Sequence, residues 1–399
     1  MMLKPKILII TDTFPPEKVG SYRMYDISRQ MSKDGFEVTV VAPFPTFPFG
    51  RFKRTKRFMK ISHVGKVKLI NLWVWQPSED PQKISRIMYY LTFPINVVFL
   101  IFVYRNFDLI LTSSGSVPVI FLPSLIAKHI FGKKIIADIR DLFFDPLIAT
   151  GFLKKGSMIE GCLKIYEKII YSNTYKIICV TKKIKHDIVN KHMVGEDKIT
   201  VIPQPINTNI FHHLSVPKKQ QIVYTGNIGY AQDLENMVLA MKEIVNYNVN
   251  FLIVGAGDLE TKLKKMVNNE GLERHIFFTG QIERTKIPQI LSESLIGIVP
   301  LKKKKELDYA IPAKTYTYMA CGIPIIAWGS LELKNLINES GAGIFIDNND
   351  PHSIAKEVIY LLNNPQKMEE MKIRGIEYIK NYTVENITKC FESSIHDIL

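Results

Sequence analysis

The stretch "QIVYTGNIGYAQDLENMVLAM", Gln221 to Met241, decides the fold. An apolar, β-prone run ends at Thr225. Gly226 and Gly229 flank Asn227 and Ile228, and a helical pattern follows. A strand turning sharply into a helix is half of a parallel β–α–β unit. Glycines at such a turn let a ligand approach the backbone. The free N–H groups of the helix start, with its dipole, suit an anion such as a diphosphate.

The pattern repeats downstream. "NFLIVGAG" brings Gly255 and Gly257 into "DLETKL", and "IFFTGQIERTKI" brings Gly280 with Arg284 nearby. "IGIVPL", "PIIAW" and "GIFID" complete this half, while "KILIITD", "FEVTVVAP", "KLINLWVW", "FDLILTSS", "KIIADIRD" and "KIICVT" run through the first. These Val/Ile/Leu runs are continuous rather than alternating, as in strands covered by helices on both faces. The fold class is therefore α/β, with two Rossmann-like domains expected to face each other across a cleft. Their spans are residues 1–205 and 206–379, and the boundary lies within the Pro- and Asn-rich "VIPQPINTNIFHHLSVPKKQQ". Ligands of open parallel sheets bind beyond the carboxyl ends of the strands, so the loops after strands are where chemistry is sought.

Composition narrows the class. Of 399 residues, 46% are hydrophobic and 23% charged, as in globular proteins. The four cysteines are far apart and form no CxxC pair, which argues against a zinc site or a disulfide framework and fits a reducing cytosol. The start, "MMLKPKILIITD", enters a strand-like run directly and shows no signal-peptide pattern. Residues 1–205 hold 31 Lys and Arg against 16 Asp and Glu; the remainder holds 21 against 22. The excess concentrates in "RFKRTKRFMKISHVGKVK", Arg51 to Lys68, and no acid occurs from Val38 to Ser78. This reads as a basic loop, either a solvated face or, through Arg51, Lys53, Arg54, Lys56, Arg57 and Lys60, a docking site for an anionic membrane surface or acceptor. No signature supports nucleic acid as the partner. The apolar run Ile87–Val103, interrupted by Pro94, falls short of the ~20 residues of a spanning helix. It reads as a buried or half-buried helix, with an interfacial helix beside the basic loop as the alternative.

Three other segments carry candidate chemistry. In "TDTFPPEKVGSYRM" a Pro pair stiffens the loop and Gly20 opens a helix, but the spacing is not GxGxxG, which argues against a dinucleotide. In "IIADIRDLFFDP" the charges Asp138, Arg140 and Asp141 emerge at a strand end, either for function or as an Arg–Asp brace. In "DYAIPAKTYTYMACGIPIIAW", Asp308 to Trp328, Pro312 suits the first helical position and Gly322 the helix stop; Lys314, Thr317 and Cys321 share one side. His212-His213 has no carboxylate at helical spacing and no GxSxG elbow is present, so metal and Ser-nucleophile readings are weak.

Together these motifs resemble glycosyltransferase family 4, of the GT-B fold. The opening strand, Pro-Pro loop and helix, then "YTGNIGYAQDLENMVLAM", "LIVGAGDLETKL", "IFFTGQI" and "YMACGIPIIA" follow in that family's order. "DIRDLF" is similar to a variant of bacterial enzymes that build O-antigen, capsule and exopolysaccharide. The resemblance implies a retaining, metal-independent enzyme needing no cofactor. It would bind a nucleotide-diphosphate sugar in the second domain and a lipid-linked or surface-polysaccharide acceptor in the first. A last helix, about residues 380–399, would pack back on the first domain. The enzyme would be cytoplasmic, peripheral on the inner membrane face. Without a metal, helix N-termini and a placed cation must stabilise the leaving diphosphate. That assigns Lys314 to catalysis, with Asp141 and Arg140 toward the acceptor. Gly20, Gly226, Asn227, Gly229, Gly255, Gly257, Gly280, Arg284 and Thr317 fall to the donor. Two glutamates common in the family are here Tyr309 and Thr317, so a ribose is not gripped by the usual carboxylate. A sugar-nucleotide epimerase of the same fold and a non-catalytic binding relative are the rival expectations.

Overall fold

The structure is a computed structural model. It describes residues 5–399 apart from 16–21, 47–48, 51, 79–82, 116–117, 145–147, 149–152, 397 and 399. Gly20 and Arg51 lie outside the described residues. The chain forms two compact units. One holds the residues up to Ile148, Leu153–Pro205 and Val384–Leu399; the other holds Ile206–Thr383.

Among the described residues, the sheet of the first unit contains β1 Lys6–Thr11, β2 Glu37–Pro43, β3 Met59–Val64, β4 Val67–Leu72, β5 Leu109–Ser114, β6 Lys134–Ile139, β7 Lys176–Cys179 and β8 Ile199–Val201. Their order is β3-β4-β2-β1-β5-β6-β7-β8, parallel except for the β3–β4 pair. β1 is central because "ILII" is apolar at every position and the strand is buried from Ile7 to Thr11. The chain leaves β1 toward β2 on one side and returns at β5 on the other. That reversal opens a crevice beyond the carboxyl ends of β1 and β5.

Two expectations are corrected here. The basic stretch is not a loop throughout: β3 and β4 pair as an antiparallel hairpin turning at Gly65, whose φ is 61°. β3 escapes a hydrophobic-run reading because, as an edge strand, it is largely exposed. The apolar segment is the half-buried helix expected, but it does not fall short of a spanning length. Lys83–Val103 is one 21-residue helix, and Ile84–Val103 is long and apolar enough to cross a membrane by length and composition, yet only 22% of its apolar window is buried. Only the face with Phe93, Val97 and Ile101 enters the core, and Asn96 fixes it by donating to the Trp73 carbonyl at 2.8 Å.

The helix Val384–His396 belongs to this first unit, and Ile387, Phe391, Ile395 and Ile398 share a core with Ile7, Ile9 and Ile27. At its centre lies Arg23, fully buried. Its Nη2 and Nε donate to Asp138 Oδ1 at 3.0 and 3.1 Å, and it also donates to the carbonyls of Ile202 (2.8 Å) and Pro203 (2.5 Å). The guanidinium stacks 5.0 Å from the Phe391 ring centroid. Asp138 is therefore an interior counter-ion rather than a charge presented at the strand end.

The second unit has six strands: β9 Gln221–Thr225, β10 Asn250–Val254, β11 Ile276–Gly280, β12 Ile296–Pro300, β13 Ile325–Trp328 and β14 Gly343–Ile346. The order is β11-β10-β9-β12-β13-β14, all parallel. Here the reversal falls between β9 and β12. The opening stretch thus begins with the central strand, and its glycine turn stands at the crevice.

Candidate active site

Each unit gathers candidate residues at its own crevice. In the second unit the three glycine turns stack on one another. Gly226 N–H donates to the Val254 carbonyl at 2.9 Å, Gly255 N–H to Gly280 at 2.9 Å, and Ile228 N–H to Ala256 at 3.0 Å. In the first two turns the packing leaves no room for a side chain at Gly255 or Gly257. Gly255 has φ +142°, and a Cβ there would lie 1.8 Å from the Gly226 carbonyl oxygen. Gly257 faces the Ile228 carbonyl and the Asn227 Oδ1 at 2.4 and 2.6 Å in the same sense, and Gly229 faces Asn227 Nδ2 at 2.5 Å. Gly255→Ala is therefore expected to destabilise the protein by about 2–4 kcal/mol. Thermal unfolding checks this; a variant melting with the wild type would mean that the turns can part freely.

Lys314 arrives from across the crevice. It stands in the first turn of the helix Ala313–Ala320, where Pro312 is the N-cap rather than the first helical residue. Its neighbour on the helix, Tyr318, accepts from Thr225 N–H at 2.7 Å, which fastens the helix to the end of β9. The Lys314 ammonium sits 3.6 Å from the Tyr224 ring centroid and donates to Gln232 Oε1 at 3.1 Å. A Cβ on Gly226 would lie 3.2 Å from its Nζ. The Tyr224 hydroxyl donates to the Asn227 carbonyl at 2.6 Å and lies 3.3 Å from the same Gln232 oxygen. All these partners are neutral, so burial holds the lysine well below its usual pKa. Behind Gln232, Asp233 accepts from Trp328 Nε1 (3.0 Å) and Asn349 Nδ2 (2.6 Å), fixing the start of the following helix.

The sequence reading thus finds Lys314, Gly226, Asn227, Gly229, Gly255, Gly257 and Gly280 in one cluster. Arg284 stands over the Phe211 ring, 5.2 Å from its centroid. Thr317 turns its hydroxyl to the Ala313 carbonyl of its own helix at 3.3 Å, so only its lone pairs are left for a ligand. Tyr224 and Gln232 were missed. Their signal was position: one is next to last in the central strand and the other stands just before the helix that follows it.

In the first unit Asp12 follows β1, Gly115 follows β5, and Arg140 and Asp141 follow β6. Arg140 Nη2 pairs with Asp12 Oδ1 at 2.8 Å, and its backbone N–H donates to the Ser114 carbonyl at 3.1 Å. Its Nε–H is buried with no acceptor among the described residues. A Cβ on Gly115 would stand 3.2 Å from Asp141 Oδ2, so a glycine there leaves the carboxylate its approach. Burial pushes the Asp141 carboxyl up to about 6; Arg140 opposes this and Asp12 adds to it. Asp12 was not singled out from the sequence as a site residue, although it directly follows the first strand. Lys53, Arg54, Lys56, Arg57 and Lys60 are all exposed on and before β3.

Comparison with known proteins settles the class. A family model described as "Glycosyltransferase Family 4" matches residues 20–210, and one described as "Glycosyl transferases group 1" matches 205–378. The chain belongs to the group 1 and family 4 glycosyltransferases. The first match includes Arg140 and Asp141 of this glycosyltransferase, and the second includes the Lys314 cluster.

Among curated relatives, it is 24% identical to the Pseudomonas aeruginosa protein named as glycosyltransferase WbjE, over 63% of this chain and 65% of that one. It is also 24% identical to Escherichia coli (strain K12) WcaI, named as a colanic acid biosynthesis glycosyl transferase, over 79% and 81%. Its fold is GT-B. Sucrose-phosphate synthase from Thermosynechococcus elongatus superposes with a TM-score of 0.79 at 16% identity, covering 99% of both chains. Anabaena HepE in complex with UDP-glucose superposes at 0.72 and 11% identity, covering 99% of this chain and all of that one.

Proposed function

We propose that this glycosyltransferase moves a sugar from a nucleotide-diphosphate donor to a lipid-linked or surface-polysaccharide acceptor, with retention of configuration and without a metal, at the inner face of the cell membrane. One observation carries the reading: a lysine with only neutral partners stands at the crevice of the second sheet, against three stacked glycine turns. Such a lysine lacks a counter-charge that a diphosphate would bring. The name of WcaI and the UDP-glucose bound to HepE support the acceptor and donor classes.

In the proposed reaction the bond from the anomeric carbon to the diphosphate oxygen breaks. A bond from that carbon to the acceptor oxygen forms on the same face. The acceptor proton passes to the departing phosphate oxygen, so no protein base is assigned. Lys314 and the Gly226–Gly229 turn stabilise the negative charge that grows on the leaving group. Asp141 receives the acceptor hydroxyl, and Arg140 meets the acceptor or a phosphate.

The test is to supply purified protein and a lipid-linked acceptor extract with a panel of sugar nucleotides. Nucleoside diphosphate should be released from one donor, also in the presence of a chelator, and the new linkage should keep the donor's anomeric configuration. Failure to release nucleoside diphosphate from any common sugar nucleotide would sink the proposal.

A further inference from the structure

The helix Lys83–Val103 breaks the usual rule for a surface helix, whose outer face is polar. From Ile87 to Tyr104 the chain carries no charge. One face packs on the core through Phe93, Val97 and Ile101. The opposite face presents Ile84, Ile87, Leu91, Ile95, Phe99 and Phe102, all exposed, Phe99 at 62%. These follow helical spacing and form one stripe along the whole helix. A stripe of this length on a water-soluble surface marks a contact site.

The basic strip is joined to this helix. Trp73 N–H donates to the Phe58 carbonyl at 2.7 Å. Two residues on, Trp75 N–H donates to Thr92 Oγ1 and its indole N–H to Ser85 Oγ, both at 2.9 Å. Phe58 and Ile61 add exposed apolar side chains among the basic ones, and Trp75 is itself 43% exposed. The result is an apolar ridge bordered by cations and an aromatic residue.

We infer that this face of the first unit is a docking surface for an anionic bilayer, on which the helix lies in the plane of the headgroups. The inference deepens the proposed function by giving its membrane location a surface, and it rests on that reading for the acceptor alone. Charge decides the occupant. A symmetric contact with a second copy would oppose two basic strips, and no acid between Val38 and Ser78 could neutralise them. Anionic lipid meets both features at once: acyl chains take the stripe, and each cation near the headgroups contributes about 1 kcal/mol. The helix lies on the bilayer rather than across it, because its other face is held in the core and Asn96 is bonded there.

Vesicle sedimentation of the full chain tests this, with phosphatidylcholine vesicles made with and without phosphatidylglycerol. The wild type should bind the anionic vesicles, more weakly as salt rises. Ile95→Glu/Phe99→Glu should lose about tenfold or more in partitioning while melting as the wild type does. Lys53→Glu/Arg54→Glu/Arg57→Glu should lose both binding and salt dependence. Equal binding by all three proteins overturns the inference. So does a dimeric wild type that ignores vesicles and becomes monomeric in the Ile95→Glu/Phe99→Glu variant, which would assign the face to a second copy. Calorimetric binding of a nucleoside diphosphate is measured alongside. Its failure counts against the donor site alone, because these substitutions lie in the other unit.

Discussion

Replacing Lys314 by methionine is expected to lower kcat/KM by about 10²–10³ while leaving stability within about 1 kcal/mol of the wild type. The two effects separate because of where the ammonium sits. In the free protein its company is the Tyr224 face and one amide oxygen. A methionine keeps most of the stem's packing, loses one hydrogen bond and removes a poorly hydrated cation. With a diphosphate in the crevice the balance inverts. At an effective dielectric of about 20, opposite unit charges 4 Å apart attract by about 4 kcal/mol. That interaction grows as charge moves onto the leaving group. Burial depresses the lysine's pKa, so the folded protein holds this proton weakly until an anion arrives. Nucleoside diphosphate binding should therefore take up a proton, and its affinity should fall as pH rises. Calorimetry in buffers of different ionisation enthalpy reads the uptake, which the variant should lack. A variant that turns over at the wild-type rate would remove Lys314 from the reaction.

Asp141→Asn gives the second large effect, and its two signatures run in opposite directions. Activity should fall by about 10²–10³, the loss of one positioned polar contact to the reacting hydroxyl. The wild type should gain activity as pH rises through about 6, where this carboxyl ionises, and the variant should lack that limb. Stability moves the other way. The carboxyl's pKa is raised from 3.8 to about 6 in the folded chain, so the native state binds the extra proton between those values. Its stabilising contribution is complete below pH 3.8 and is lost as pH rises through about 6. Asparagine does not ionise. The variant should match the wild type in acid and exceed it at neutral pH, by about 1–3 kcal/mol after allowance for partial exposure of the group. Chemical denaturation at pH 4 and pH 8 measures the difference. A variant no more stable than the wild type at pH 8 would show that Asp141 is not held against its preferred state.

Much of this architecture is legible because parallel sheets write themselves locally. "KILIIT", "QIVYT" and "NFLIV" are continuous apolar runs, and each is a strand with helices on both faces. The glycine turns were also legible, because close packing of turn on turn forbids a side chain at Gly255 and Gly257. What was hidden is of two kinds. β3 and the three-residue β8 lack the apolar run: one is an exposed edge and the other is very short. Which face of the helix after residue 82 is outermost was also hidden, because a hydrophobic surface and a hydrophobic core have the same composition. The site's polar partners were hidden by distance along the chain. Arg140 meets Asp12 across 128 residues and Lys314 meets Gln232 across 82. No local pattern encodes such pairs until the strand order is known.

The buried Arg23 has a consequence for synthesis. The guanidinium joins the first helix, β6, the carbonyls at Ile202 and Pro203, and Phe391. A growing chain makes the first three long before it makes the last. Until residues 384–398 leave the ribosome, the first unit lacks one wall of its core, and Ile27 and its neighbours stay uncovered. The second unit, drawn almost wholly from the single run Ile206–Thr383, can close first. The half of the protein translated earliest is thus the half completed last, and it spends the interval with an open apolar seam that a chaperone can hold.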